Sequence, residues 1–230
     1  MITFTNEPLK DLFSQSKLLI LNFDEIPRHT PSSQNTQTYF EECEARELDP
    51  RQPAHRQRFH NRVLEATGYR YLVSRYGEDR LAMLKGSSIA DEGRTIHLGI
   101  DIFCKDLEEV YAPCNGEIVV IGKESQSHSF GNYLIMRPDD SATYILLAHL
   151  SDDQATTKKK IKVGEPIAKL GDYVNNENGG WSRHLHLQML RELPGPGEAP
   201  IGYSSTEDFE ENAGRFPDPM PYFPRWRVAD

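Results

Sequence analysis

From Thr95 onward, apolar and polar residues alternate in short runs: IHLGIDIF, VYAP, EIVVIG, YLIMRP, TYILLAHL, EPIAKLG and HLHLQML, divided by clusters of Gly, Pro, Asn, Asp and Ser. Period-two runs bounded by turn residues predict β-strands, and their close spacing predicts antiparallel pairing. Asn115-Gly116 offers the positive-φ residues of a two-residue hairpin, and Asp139-Asp140-Ser141 a reversal between two further strands. Upstream the pattern is mixed. Leu18 to Phe23 reads as a strand-like piece, followed by a polar loop rich in Pro, Ser, Gln and Thr. Helical spacing runs from Thr38 to Leu48 and again from Gln57 to Leu64, where Phe59, Val63, Leu64 and Tyr69 would share a face. His55 and His60 sit among arginines there and read as exposed or half-buried helix side chains.

This pattern predicts an α+β chain that is mainly β, with an antiparallel sheet core. Residues 1–94 form a mixed α/β or helical segment, residues 95–194 a β-rich domain, and residues 195–230 a tail rich in proline and aromatics, packed back onto that domain.

The 230 residues are enough to bury a core without covalent staples. A formal charge of -9 argues against a surface built to hold nucleic-acid phosphates. No run of about 18 apolar residues occurs, so no membrane span is expected. Cys43, Cys104 and Cys114 are an odd set without CxxC spacing, and the opening residues lack a basic start and a long apolar stretch. Both features predict a cytoplasmic protein in a reducing compartment.

Candidate chemistry gathers in the β-rich part. His184 and His186 are two apart, so on a strand both rings leave the same face, roughly 6 to 7 Å apart at their bases. His97 and Asp101 flank Gly99 and would stand about 13 Å apart if fully extended, so they share a site only if the chain breaks at that glycine. His149 ends an apolar strand, where functional groups are displayed at a sheet rim. Two histidines and a carboxylate are donors that suit zinc with one open position. Cys104 reads as a small buried side chain and His128 as a solvated loop residue.

The order HLGID, YILLAHLS, HLHLQ, with the linking pieces VYAPCNGEIVVIG, FGNYLIMRP and VGEPIAKLGD, resembles the M23 family of zinc metallopeptidases, also called LytM or lysostaphin-type, over roughly Thr95 to Leu190. The resemblance implies the antiparallel sheet core of that family and a bound Zn2+. It implies His97, Asp101 and His186 as metal ligands, with His149 and His184 as the catalytic pair. It further implies a zinc peptidase or amidase that hydrolyses a peptide bond with metal-activated water, acting on a peptidoglycan-derived or other small peptide. Where the family commonly has glutamate after HLHF, this chain has Leu187 and Gln188. The stretch LGDYVNNENGGWSRHLHLQ is also similar to a cytoplasmic M23 subgroup joined to aminotransferase-like domains. Two other readings compete: a non-catalytic peptide- or protein-binding module on the same fold, and a sugar-phosphotransferase phosphocarrier, which leaves HLHLQ unexplained.

Overall fold

In the computed structural model, residues 18–20, 48–49, 51–67, 70–152, 159–195, 197–198 and 200–222 are described. The helix expected from Thr38 therefore lies outside them except for Leu48, as do Leu21 to Phe23, Tyr69 and the tail beyond 222.

An eight-stranded sheet dominates. In chain order its strands are β1 (Leu18–Ile20), β2 (Tyr71–Val73), β4 (Ile100–Phe103), β6 (Gly116–Lys123), β7 (Asn132–Pro138), β8 (Tyr144–Leu150), β9 (Lys160–Ile161) and β11 (His184–Leu190). Across the sheet they lie β1-β2-β4-β11-β8-β7-β6-β9. Every pairing is antiparallel except β1 with β2. Two small antiparallel ribbons accompany it: β5 (Glu109–Tyr111) with β10 (Pro166–Lys169), and β3 (Ile96–His97) with β12 (Tyr203–Ser204). Each run expected to be a strand contains one. The order is not a simple meander, because β11 is inserted between β4 and β8.

The Asn115-Gly116 hairpin does not form. β5 pairs with β10 and Gly116 is already a strand residue opposite Pro138, without a positive φ. Glycine is needed there because a Cβ would run into the carbonyl oxygen of Arg137. Asp139 and Asp140 do reverse the chain between β7 and β8.

Both sheet faces are covered, which explains the unbroken apolar run of β8. Ile145 and Leu147 join Ile100, Ile102, Leu134, Met136, Leu187 and Met189 in a core capped by Val110, Ile167 and Ala168 of the β5–β10 ribbon. Leu146 and Ala148 face the other way, with Phe130, Tyr133, Ile135, Leu190 and Phe216. Strand parity then puts Asp101, His184 and His186 on this second face.

Helix α1 (Pro53–Thr67) docks through buried Phe59 and Val63, longer than but centred on the expected helix. Its Gln57 spans the ends of two strands, accepting from Arg183 N at 2.6 Å and donating to Cys104 O at 2.9 Å. Short helices α2 (Leu81–Leu84) and α3 (Ser88–Asp91) lead into β3, and α4 (Phe209–Arg215) follows β12.

Candidate metal centre

Asp101 on β4 is the register partner of His186 on β11, and His186 is in turn the partner of Ala148 on β8. Directly opposed residues of antiparallel strands put their side chains together on one face, and here His186 Nδ1 stands 2.9 Å from Asp101 Oδ1. His184, two residues before His186, brings its Nε2 to 3.5 Å from the same oxygen.

His97 reaches this point because the chain breaks where expected. β3 ends at His97 to pair with β12, and β4 starts at Ile100 to pair with β2 and β11. With the strands no longer collinear, His97 Nε2 lies 3.5 Å from Asp101 Oδ1 and 3.1 Å from His186 Nδ1. All three side chains are buried, with their ligand atoms within 4.8 Å of one another.

His149 arrives by a different device. Tyr133 of β7 faces Ala148 while Asn132 faces Leu150, so His149 is the extra residue of a β-bulge, not the last residue of a strand. Its φ is +65°, a left-handed conformation uncommon outside glycine. Bulges re-aim side chains beside functional sites, and this one brings the His149 ring centroid 4.3 Å from that of His184.

Hydrogen bonds define which nitrogens face the centre. Gln188 donates from Nε2 to Ile201 O at 2.9 Å, so its Oε1 is the atom 3.0 Å from His186 Nε2 and accepts that ring's proton. That leaves the Nδ1 of His186 turned toward Asp101 Oδ1. His184 donates from Nδ1 to Ser182 O at 2.7 Å, which leaves its Nε2 lone pair toward Asp101.

The electrostatics favour the ligand forms of Asp101 and His97. Burial alone would raise the Asp101 carboxyl, but the Arg80 guanidinium beside it outweighs that and holds it well below the usual carboxylate range. Burial, then Arg80, pushes His97 well below the ordinary imidazole value. Burial, then His184 and His186, does the same to His149. His184 is pushed down to about 4, chiefly by burial.

Two imidazole nitrogens and a carboxylate oxygen brought to one buried point are a donor set that a cation would gather. Zinc bonds N and O donors at about 2.0–2.1 Å, and the edge of a tetrahedron of that radius is about 3.3 Å; the separations here are 2.9, 3.1 and 3.5 Å. The donor set and its spacing both fit zinc.

A groove of about 270 Å³ opens over these residues, walled by His128, Phe130, Trp181, Ile201 and Tyr203, with Arg94 among its lining residues. His128 is half-buried with its ring edge against Trp181 at 5.0 Å, not a solvated loop side chain. Cys104 is buried and donates to Asp106 O. His60 is no surface residue either; it is buried behind the site with its ring 4.3 Å from that of Phe103, because α1 lies on the sheet where an isolated helix would expose it. Sequence reasoning missed Ser74, Glu78, Arg80, Trp181 and Tyr203. Trp181, three residues before His184, was the one that nearness to a motif could have flagged.

Residues 95–196 match the family model for peptidase family M23. The catalytic domain of the antimicrobial peptidase lysostaphin from Staphylococcus simulans is similar at 22% identity, covering 56% of this chain and 80% of that one, with a TM-score of 0.42. The catalytic domain of the prophage-encoded M23 protein EnpA from Enterococcus faecalis is similar at 17% identity, over 49% and 77% of the two chains, with a TM-score of 0.34. A zinc containing peptidase from Vibrio cholerae is similar at 26% identity over 44% of this chain and 32% of that chain, with a TM-score of 0.34. No curated protein matches the chain.

Proposed function

Residues 95–196 belong to peptidase family M23, and we propose from that premise that the chain is a zinc-dependent peptidase or amidase. The observation that carries the reading is the meeting of His97 Nε2, Asp101 Oδ1 and His186 Nδ1 at 2.9 to 3.5 Å in a buried place. These three residues would hold the ion. Zinc, when bound, supplies Lewis acidity that lowers a water's pKa toward ~7 and polarises a carbonyl.

His184 and His149 are the proton-handling residues of this reading. With Nδ1–H held by Ser182 O, His184 presents an unprotonated Nε2 and is the better placed of the two to take a proton. His149, aimed by its bulge, is left to hold the developing charge on the carbonyl oxygen through a ring N–H, and the proton taken up by His184 passes on to the leaving amine. The two roles meet across a ring separation of 4.3 Å.

The groove of about 270 Å³ suits a peptide of a few residues, peptidoglycan-derived or another small peptide or amide. Catalysis belongs, in this reading, to a domain of residues 95–194, with walls supplied by flanking segments. No helix among the described residues is long and apolar enough to cross a membrane. The free thiols of Cys104 and Cys114 suit a reducing, cytoplasmic compartment.

The test is the metal content of freshly purified protein, by elemental mass spectrometry, for wild type, His186→Ala and Asp101→Ala. One zinc per chain, lost in both variants, is expected, followed by cleavage of glycine-containing or D-residue peptides. Wild type that neither carries nor takes up zinc would leave a non-catalytic binding module in its place.

A further inference from the structure

Asp101 uses its two carboxylate oxygens for different partners. Oδ1 faces His186 at 2.9 Å and His97 at 3.5 Å, whereas Oδ2 accepts from Arg80 Nη1 at 2.6 Å. Arg80 is buried, and its planar guanidinium is engaged on every side. Nε donates to Glu78 Oε1 at 2.6 Å, Nη2 to Ser74 Oγ at 2.8 Å, and Nη1 reaches Tyr203 Oη at 3.3 Å as well as Asp101. Ser74 Oγ also accepts from the Asp101 backbone N–H at 2.8 Å, so side chain and main chain of Asp101 are held from the same place. The main chain of Arg80 is itself anchored by its N–H donating to Thr95 O at 2.9 Å.

A cation beside a metal ligand needs a reason, since it repels the ion the ligand would hold. Neutralising a buried carboxylate is not sufficient as one: a guanidinium doing only that would be free to straddle both oxygens in the usual bidentate fork. Here the fork is spent on four different residues, and Oδ1 is left to the histidines. A carboxylate with both oxygens available to a cation of zinc's size can swing to chelate it through both. One whose outer oxygen is tied down offers a single atom in one direction.

We propose that Arg80 is a positioning residue for the metal site, clasping Asp101 Oδ2 so that the carboxylate presents only Oδ1 to the ion. The inference rests on the zinc peptidase reading above. The clasp is built by Ser74, Glu78 and Arg80, all upstream of the family-matched segment 95–196, and by Tyr203, downstream of it. The metal site of this chain therefore extends beyond that segment. Lysine cannot replace the arginine: one ammonium has no planar fork with which to reach Asp101, Glu78 and Ser74 together.

The experiment uses the full chain and reads metal binding directly. Zinc affinity is measured by competition with a chromophoric chelator, and Co2+ put in place of zinc reports coordination number through the intensity of its visible absorption. Wild type is expected to give the strong absorption of a four-coordinate site. Arg80→Met is expected to weaken zinc binding by about 10- to 100-fold, the usual effect of losing a partner that orients a ligand. It should also give a weaker, five-coordinate cobalt spectrum as Asp101 becomes bidentate. Glu78→Gln/Arg80→Met removes the neighbouring carboxylate together with the guanidinium, so that Glu78 is not left as a buried unpaired charge, and should show the same two changes in a protein that melts cooperatively. Arg80→Lys should fold and recover only part of the affinity.

A wild type that binds neither ion overturns the peptidase reading and this inference together. A wild type that binds both, with wild-type affinity and spectrum in the double variant or in Arg80→Lys, overturns the inference alone.

Discussion

Gly99 stands against the ring of His186: a Cβ on this glycine would lie 2.5 Å from His186 Cε1 and 2.8 Å from Leu187 O. The glycine of HLGID is therefore needed for close approach, and its missing side chain is the space that His186 occupies. Gly99→Ala must displace the imidazole, because the backbone oxygen on the other side cannot yield. Zinc affinity should fall at least 10-fold, the scale of losses when a ligand's support is disturbed. Titration against a chelator of known affinity checks this, and unchanged binding would show that the ring can move at no cost.

Gln188 controls the tautomer of His186 through its bond from His186 Nε2–H, with its own amide oriented by Ile201 O. Gln188→Leu removes the acceptor while keeping the volume. The expected result is zinc binding weakened by about 10- to 100-fold, with a lower melting temperature of the metal-free protein because His186 Nε2–H and Ile201 O lose a buried partner. Gln188→Glu restores an acceptor and should hold zinc far better than Gln188→Leu.

The bulge at His149 separates folding from function. Its left-handed backbone, φ +65°, costs a side-chain-bearing residue on the order of 1 kcal/mol relative to glycine. His149→Gly should therefore be more stable than His149→Ala by about that amount in urea unfolding, while both keep zinc and both lose turnover. Equal stability of the two variants would mean that the backbone relaxes when the ring is gone.

Acid should destabilise the fold through several buried histidines, and the share of one of them can be isolated. His60 is pushed down to about 3 from an ordinary value of 6.5, first by burial and then by Arg56. A folded-state value below the unfolded one means stability that is present above pH 6.5 and lost as the pH falls toward 3. One such group contributes a slope of at most about 1.4 kcal/mol per pH unit. His97, His149 and His184 are shifted the same way, so the wild-type slope is a sum. His60→Leu should lower that slope by one proton's worth between pH 6 and 4, on the order of one kcal/mol per unit. Urea unfolding of the metal-free protein at several pH values measures it; parallel curves for wild type and variant would refute the assignment.

The strands, and the facing of His184 and His186 to one side, were legible because strand geometry has a short, strict period, whereas the roles proposed for the five histidine and aspartate positions came from the family resemblance. Alternation marked each strand, and the two-residue spacing of His184 and His186 put both rings on one face whatever the strand's partners. A glycine between His97 and Asp101 announced a break before any contact was known. Tertiary structure decided the rest, because it depends on which distant segments meet. The order β4-β11-β8 makes Asp101, His186 and Ala148 neighbours, and no local pattern contains it. Asn115-Gly116 has the composition of a hairpin turn, yet β5 pairs with β10 over the apolar core and does not fold back on β6. His60 looks like a surface residue until α1 is laid on the sheet. Arg80 carries no local signal at all: its meaning comes from Asp101, 21 residues along the chain, and from Tyr203, 123 residues along it. A charged side chain can be buried only where its partners are already assembled, so its place is set by the finished fold and not by its neighbours in sequence.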